Sequence, residues 1–354
     1  MPEPEPPIRI GMIGAGFIAQ VTHLHVLSEL PACAVAAVAD NRADLRANVA
    51  AKYSIPLQVS NVTELLAAPA LDAYVVALPR RAMSAALAAI LMTGKPVLAE
   101  KPMAYTLAQG RQLVAAAEKS GSALAVGFMK RHDPGVTLFR DTLRRIVGNN
   151  ELGPIAHVAM RDYCATYATA IPPHFRTSVP RPSRYDQWPV LPEGLPEEYQ
   201  ADYEYTLNVA SHDINLLRYV FGNTAKAASF RARSKGVQLA TLDCGDFDVA
   251  LELGLVDTGA WEQTIDVYFR RGRLQLLLPS PLARQETARA RLERGGQVEE
   301  LVPPPDKRIW AFKAQAAQFL DVVRGKAEPV ADARDALVDL EIIEELWKMV
   351  KWSR

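Results

Sequence analysis

From residue 8 onward, short and mostly apolar runs alternate with segments whose apolar residues return every three or four positions. The runs cover 8–13, 34–39, 73–78, 97–99 and 123–126, and the helical patterns between them cover 18–30, 42–53, 83–92 and 107–119. A run that is apolar on both faces is how a strand buried inside a parallel sheet reads. Its alternation with helices predicts a parallel sheet with helices on both sides. Thr106 stands where a side-chain oxygen caps the helix at 107, and Gly94 follows the helix before it. After Gly127 the pattern changes. Segments 158–162, 227–233, 247–253, 264–269 and 273–278 are β-rich and separated by turns such as Arg271-Gly272, which predicts a mostly antiparallel sheet. Residues 163–205 are dense in Pro, Tyr and Arg without a period, and a loop of that length in a compact domain is usually functional or mobile. Two helical patterns, 310–324 and 333–348, close the chain. The reading is a disordered acidic, proline-rich tail at 1–7, a parallel α/β domain at 8–126 and an α+β domain at 127–354.

Composition narrows the partners. Lys and Arg number 40, as do Asp and Glu, so no broad basic field exists to hold nucleic acid or an anionic membrane, and a small molecule is the expected partner. Cys33, Cys164 and Cys244 are far apart without CxxC spacing, which argues against a zinc site, or any other metal, and against a disulfide framework. That usage fits a reducing compartment, and the cytoplasm is the expected address. No uncharged apolar run approaches the roughly 18 residues of a membrane-spanning helix, and the first seven residues lack the basic and apolar parts of a signal peptide.

The first run leads into "IRIGMIGAGFIAQ", where Gly14, Gly16 and Ala19 form a GxGxxA pattern at the head of a helix. The first glycine allows a tight turn, the second lets backbone approach a pyrophosphate, and the small third residue lets helix and strand pack closely. The N–H groups at Phe17 and Ile18 then face the phosphates with the positive end of the helix dipole. Asp40 ends the second strand 26 positions after Gly14, close to where a carboxylate holds the adenosine ribose hydroxyls. A carboxylate there repels a 2′-phosphate, which favours NAD over NADP; Arg42, after Asn41, is the opposing signal, and a helix cap is the structural alternative for Asp40. Leu78 and Pro79 close the run 73–78 on the same rim. Glu100, Lys101 and Pro102 end the run 97–99, where the nicotinamide should lie. A lysine there can donate to an alcohol or carbonyl oxygen and stabilise its growing negative charge; a surface pair with Glu100 is the plain alternative.

These motifs together resemble the glucose–fructose oxidoreductase, inositol dehydrogenase and rhizopine catabolism family of nicotinamide-dependent oxidoreductases. The resemblance rests on "DAYVVALP", "GKPVLAEKPMA", "ALAVGFMKRHDPG", "HDINLLRYVFG" at 212–222 and the closing "FKAQAAQFLDVVRGKAEPVADARDALVDLEIIEEL". It implies an N-terminal Rossmann doubly wound parallel sheet plus a C-terminal α+β domain with a large, mostly antiparallel open sheet. It also implies that Lys101 holds the reacting oxygen and the cofactor ribose, that His212 is the acid/base, and that hydride passes between nicotinamide and a sugar, cyclitol or nucleotide-linked sugar. A neutral imidazole suits the task near physiological pH. The chain departs from the pattern at Asn208 and Asn215, where the family commonly has aspartates, and at Arg80-Arg81-Ala82-Met83, where Asn and His are usual. Asn208 can still hydrogen-bond a substrate hydroxyl or orient His212, and Asp213 is a candidate to compensate at 215. Arg131 and Tyr163 are further substrate-binding candidates, and His23 and His25 read as structural. His174 and Arg176 in "PPHFR" carry groups able to hold a phosphate or carboxylate, with nothing in the pattern to place them. Trp261 and residues 264–269 read as an apolar sheet surface that a second copy would cover in a homodimer or homotetramer. Two alternatives stand beside the dehydrogenase: a glycoside hydrolase with tightly held NAD, and a cofactor-binding regulator without chemistry.

Overall fold

Ile10, Met12 and Ile13 are almost fully buried, which places β1 (Ile8–Ile13) in the middle of its sheet, as its apolar run requires. The computed structural model describes residues 5–68, 70–163, 171–180, 188–233, 236–256 and 259–350. The chain forms two units: Met1–Gly127 with Ile171–Pro192 and Phe312–Leu337, and Phe128–Ala170 with Glu193–Ala311 and Val338–Arg354. Two later returns of the chain therefore belong with the first unit, which a single cut after residue 126 leaves out.

In the first unit β1 is followed by a π-helical turn (Ala19–His23), α1 (Leu24–Glu29), β2 (Cys33–Ala39), α2 (Ala43–Tyr53), β3 (Leu57–Val59), α3 (Val62–Leu66), β4 (Ala73–Val76), α4 (Arg80–Leu91), β5 (Val97–Ala99), α5 (Leu107–Ser120) and β6 (Leu124–Val126). The strands pair in parallel in the order β3-β2-β1-β4-β5-β6, the order of a dinucleotide-binding sheet. Thr106 caps α5 by accepting from the Gln109 N–H, worth about 1 kcal/mol, and Asn61 caps α3 on Glu64 in the same way. The pattern missed β3 and α3, which span three and five residues and are too short to show a period. Asp332 forms a bridge to Ala125 beside β6. Residues 1–4 of the expected disordered tail lie outside the described residues. Glu5 is held instead, 2.8 Å from Arg324 and 2.8 Å from Lys326.

The second unit holds α6 (Pro134–Gly148), β7 (Ile155–Tyr163), α7 (Gln200–Asn208), α8 (Ala210–Phe221), β8 (Lys226–Arg233), β9 (Val237–Asp243), β10 (Asp248–Gly254), β11 (Glu262–Phe269), β12 (Gly272–Leu277), β13 (Arg289–Arg294) and β14 (Gln297–Leu301). Its sheet runs β14-β13-β12-β11-β7-β10-β9-β8, antiparallel throughout except for the parallel pair β7 and β10. Then come α9 (Ala311–Val323) and α10 (Ala333–Lys348), the latter shared between the units. Within α7, Tyr203 is fully buried, and its ring and that of Phe230 pack on Trp347, whose indole N–H donates to Thr206. This helix was read as part of the 163–205 loop.

Residues alternate across a strand, and here the alternation separates two surfaces. Val158, Met160, Ile265, Val267, Leu274 and Leu276 are buried on one face. The other carries a ladder of ion pairs, Arg161 with Glu252, Arg273 with Asp266 at 2.6 Å, and Arg291 with Glu300. The expected apolar sheet surface is thus charged: β11 presents Thr264, Asp266 and Tyr268 there and turns Ile265 and Val267 inward.

Candidate active site and cofactor cradle

Gly14 has φ of +95°, and a Cβ there would lie 2.3 Å from the Ala77 carbonyl oxygen, so the turn after β1 closes against the end of β4 only with glycine. Asp40, at the end of β2, reaches back to the turn and accepts from the Ala15 N–H at 2.9 Å. It also accepts from the Arg42 N–H at 3.0 Å, Nε at 2.9 Å and Nη2 at 2.8 Å. Burial alone would raise its pKa, but the hydrogen bonds from Arg42 and Ala15 outweigh burial and hold the carboxyl below its ordinary value. A carboxylate offers about four acceptor positions, and all of them are filled. Beside this pair opens a cleft of about 250 Å³, lined by the expected Asp40, Asn41, Arg42, Leu78 and Pro79 together with Ser60, Asn61 and Val62. Sequence reasoning missed these last three; an Asn capping a helix directly after a short strand was their one signal. A cradle that a single Cβ would fill, next to a cleft rimmed by a carboxylate and a guanidinium, fits a dinucleotide.

The fifth-strand terminus is built around Glu100. Its Oε1 lies 2.8 Å from His23 Nε2 in a largely buried pair, and its Oε2 accepts from the Lys101 N–H at 3.3 Å. Gly127 packs on this turn, where a Cβ would sit 3.4 Å from the Glu100 Cα. The Lys101-Pro102 peptide is cis. Glu100, expected among the cofactor contacts, thus fixes the backbone that presents Lys101, and His23 anchors it.

In the second unit α7 stops at Asn208 and α8 starts at Ala210, so His212 sits on the first turn of α8 with its ring edge-on to Phe128. Beneath that turn Asp213 is fully buried among Gln263, Asp162 and Lys130. Gln263 Nε2 donates to Asp213 at 2.7 Å and to Asp162 at 2.8 Å, and Lys130 Nζ donates to Gln263 Oε1 at 2.6 Å. Burial, then the charge of Asp162, pushes the Asp213 carboxyl well above the carboxylate range.

Arg131 and Tyr163, expected at the substrate, and Asn215 meet partners within the second unit. Arg131 is 5% exposed, donates to the Asn215 carbonyl at 3.0 Å and lies over the Tyr219 ring, so it braces α8. Asn215 donates to Asp339, which also pairs with Arg218. Tyr163 donates to Glu252 at 3.0 Å on the charged face of the sheet, opposite to Asp162 and α8. Residue alternation along β7 fixes that outcome.

His132 and Asp133 give the second unit opposed pH dependences. Burial, helped by the charge of Arg131, depresses His132 to about 4 from 6.5, so its contribution to stability is lost as pH falls from 6.5 to 4. Burial raises Asp133 to about 6 from 3.8, against its hydrogen bonds from Gly135 and Ala288, so stability is lost as pH rises from 3.8 to 6. Asp133→Asn should therefore leave a stability that climbs by about 3 kcal/mol between pH 4 and 6.5, and His132→Gln one that falls by a similar amount between pH 4 and 6. Urea unfolding across that range checks both.

A family profile described as an oxidoreductase family with an NAD-binding Rossmann fold matches residues 8–128. The inositol 2-dehydrogenase/D-chiro-inositol 3-dehydrogenase of Shouchella clausii is 36% identical over 140 residues, 39% of this chain and 40% of that protein. Over these residues the chain is similar to the glucose–fructose oxidoreductase, inositol dehydrogenase and rhizopine catabolism family. It matches less than two thirds of the length of its curated relatives. Solved structures share the fold over nearly the whole chain. The 3-ketoreductase KijD10 from Actinomadura kijaniata, in complex with NADP and TDP-benzene, superposes with a TM-score of 0.77 at 20% identity, covering 97% of this chain and 98% of its own. The WlbA dehydrogenase from Bordetella pertussis, in complex with NADH and UDP-GlcNAcA, gives 0.72 at 17% identity, covering 98% and 96%.

Proposed function

We propose that this protein is an NAD-dependent oxidoreductase that moves hydride between nicotinamide and a secondary alcohol or ketone of a sugar, cyclitol or nucleotide-linked sugar. The observation that carries the reading is the glycine turn tied to Asp40 beside an open cleft. The family profile over residues 8–128 supports it, as do the NADP and TDP-benzene bound by one structural neighbour and the NADH and UDP-GlcNAcA bound by the other. Bound nicotinamide supplies or accepts the hydride. Lys101, presented by the Glu100 turn, donates to the reacting oxygen and stabilises the charge that grows on it. His212 takes the hydroxyl proton in the oxidative direction and returns it in the reductive one, and Asn208 hydrogen-bonds the substrate. A panel of sugars, cyclitols and sugar nucleotides incubated with NAD, and in parallel with NADP, tests the reading. Substrate-dependent accumulation of reduced nicotinamide is expected. Turnover without it would instead favour a hydrolase that re-reduces its own product, and binding without any turnover a regulator.

Cofactor preference turns on Asp40 and Arg42. Because the four acceptor positions of Asp40 are filled, ribose hydroxyls reach it only by displacing Arg42, whose guanidinium is the group that a 2′-phosphate would take. Arg42→Ala should therefore keep or tighten NAD binding and weaken NADP binding by roughly ten-fold or more, the worth of one charge-assisted pair. Calorimetric titration with each cofactor checks this, and parallel losses for both would refute it.

A further inference from the structure

The Pro-rich stretch after β7 returns to the first unit, and residues 171–180 show where. Gln20 Nε2 donates both to the Ala15 carbonyl, within the glycine turn, at 2.9 Å and to the Phe175 carbonyl at 3.1 Å, while its Oε1 accepts from the Phe175 N–H at 2.8 Å. One buried glutamine thus joins the phosphate turn to this segment through three bonds. Thr177 donates to Asp44 at 2.5 Å on α2, and Lys52 lies over the Phe175 ring. His174 packs edge-on against Phe17, the residue after Gly16, with ring centroids 4.9 Å apart. Its Nδ1–H donates to the Pro172 carbonyl at 3.1 Å, which leaves Nε2 to accept from Arg176 Nε at 3.4 Å.

We propose that residues 172–177 are a phosphate-binding strap, in which His174 positions the Arg176 guanidinium to take the diphosphate of a dinucleotide held at the glycine turn. The inference rests on the dinucleotide reading and adds to it a contact from outside the first βαβ unit. A diphosphate brings two negative charges. The turn itself offers N–H groups and the helix dipole, and Arg42 is already matched by Asp40. Arg176 is exposed and has no carboxylate partner among the described residues, so of its five donors only Nε is engaged, by a neutral ring. That is the state of a cation kept for an anion from solution, and a planar fork suits two phosphate oxygens.

Titration of the full chain with NADH, ADP-ribose and adenosine tests the strap. Arg176→Ala should weaken NADH and ADP-ribose by roughly ten-fold and leave adenosine unchanged, with the unfolding midpoint also unchanged because the side chain is exposed. His174→Ala should give a smaller loss of the same kind, and Gln20→Ala should speed NADH release in stopped flow. Wild-type affinity for NADH and ADP-ribose in Arg176→Ala, or an equal loss for adenosine, overturns the proposal. A loss confined to NADPH would move the guanidinium to the 2′-phosphate and overturn the diphosphate assignment. A wild-type protein that binds none of these ligands would overturn the dinucleotide reading itself, and the strap with it.

Discussion

Lys101→Ala is expected to lower kcat by about 10²–10³-fold, the loss usual when a group aimed at a developing oxyanion is removed. Glu100 anchors to His23 at 2.8 Å and to the Lys101 N–H, so the turn keeps its course when the lysine side chain is cut back. The side chain is only half-buried, and the unfolding free energy should stay within about 0.5 kcal/mol of wild type, the range of surface substitutions. Lys101→Arg should recover part of the rate, because charge is retained but a planar fork replaces a point donor. Glu100→Gln separates presentation from chemistry: it keeps the shape, weakens the His23 contact, and should raise KM more than it lowers kcat. A Lys101→Ala enzyme within a few-fold of wild-type kcat would remove this residue from the mechanism.

Legibility in this chain followed the physics of burial. β1, β4, β5 and β6 read clearly because both their faces are covered, so no polar residue breaks the apolar run. β13 and β14, "RARLER" and "QVEEL", were missed because one face of that sheet is an ion-pair ladder, which leaves only two apolar residues in each strand. α6 lies outside the helical patterns read from the sequence, and it opens on Pro134-Gly135. Proline is in fact favoured at the first helical position, and glycine is required where a Cβ would meet the Ala288 carbonyl oxygen at 1.8 Å. The same contrast holds at the site. Gly14 and Asp40 lie on one βαβ unit, so their spacing in sequence carries their spacing in space. His23 and Glu100 are 77 residues apart, and Gln20 and Phe175 are 155 apart; no local period encodes either contact. Arg131 and Tyr163 were assigned from their place near motifs, but burial in one case and strand alternation in the other directed them to the scaffold.

Lys130→Met should destabilise the second unit by about 3–5 kcal/mol, the cost of leaving a buried charge without its partner. Lys130, Asp162, Asp213 and Gln263 are each less than one tenth exposed. With Asp213 holding a proton, the group contains one ammonium and one carboxylate, 4.0 Å apart and bridged by the Gln263 amide. Removing the ammonium leaves the Asp162 charge buried and unpaired, where Coulomb terms are strong. Pairing Lys130→Met with Asp162→Asn removes both charges and should recover most of the loss, since a neutral buried cluster of similar volume carries no desolvation penalty. Asp213→Asn should cost little, because burial and the charge of Asp162 already favour the protonated acid. Chemical unfolding of the three variants reads the stabilities. The pH profile of kcat reads the first turn of α8, where His212 stands one residue from Asp213. A Lys130→Met cost below about 1 kcal/mol would overturn the buried ion pair, and an Asp213→Asn cost equal to that of Lys130→Met would overturn the protonated Asp213.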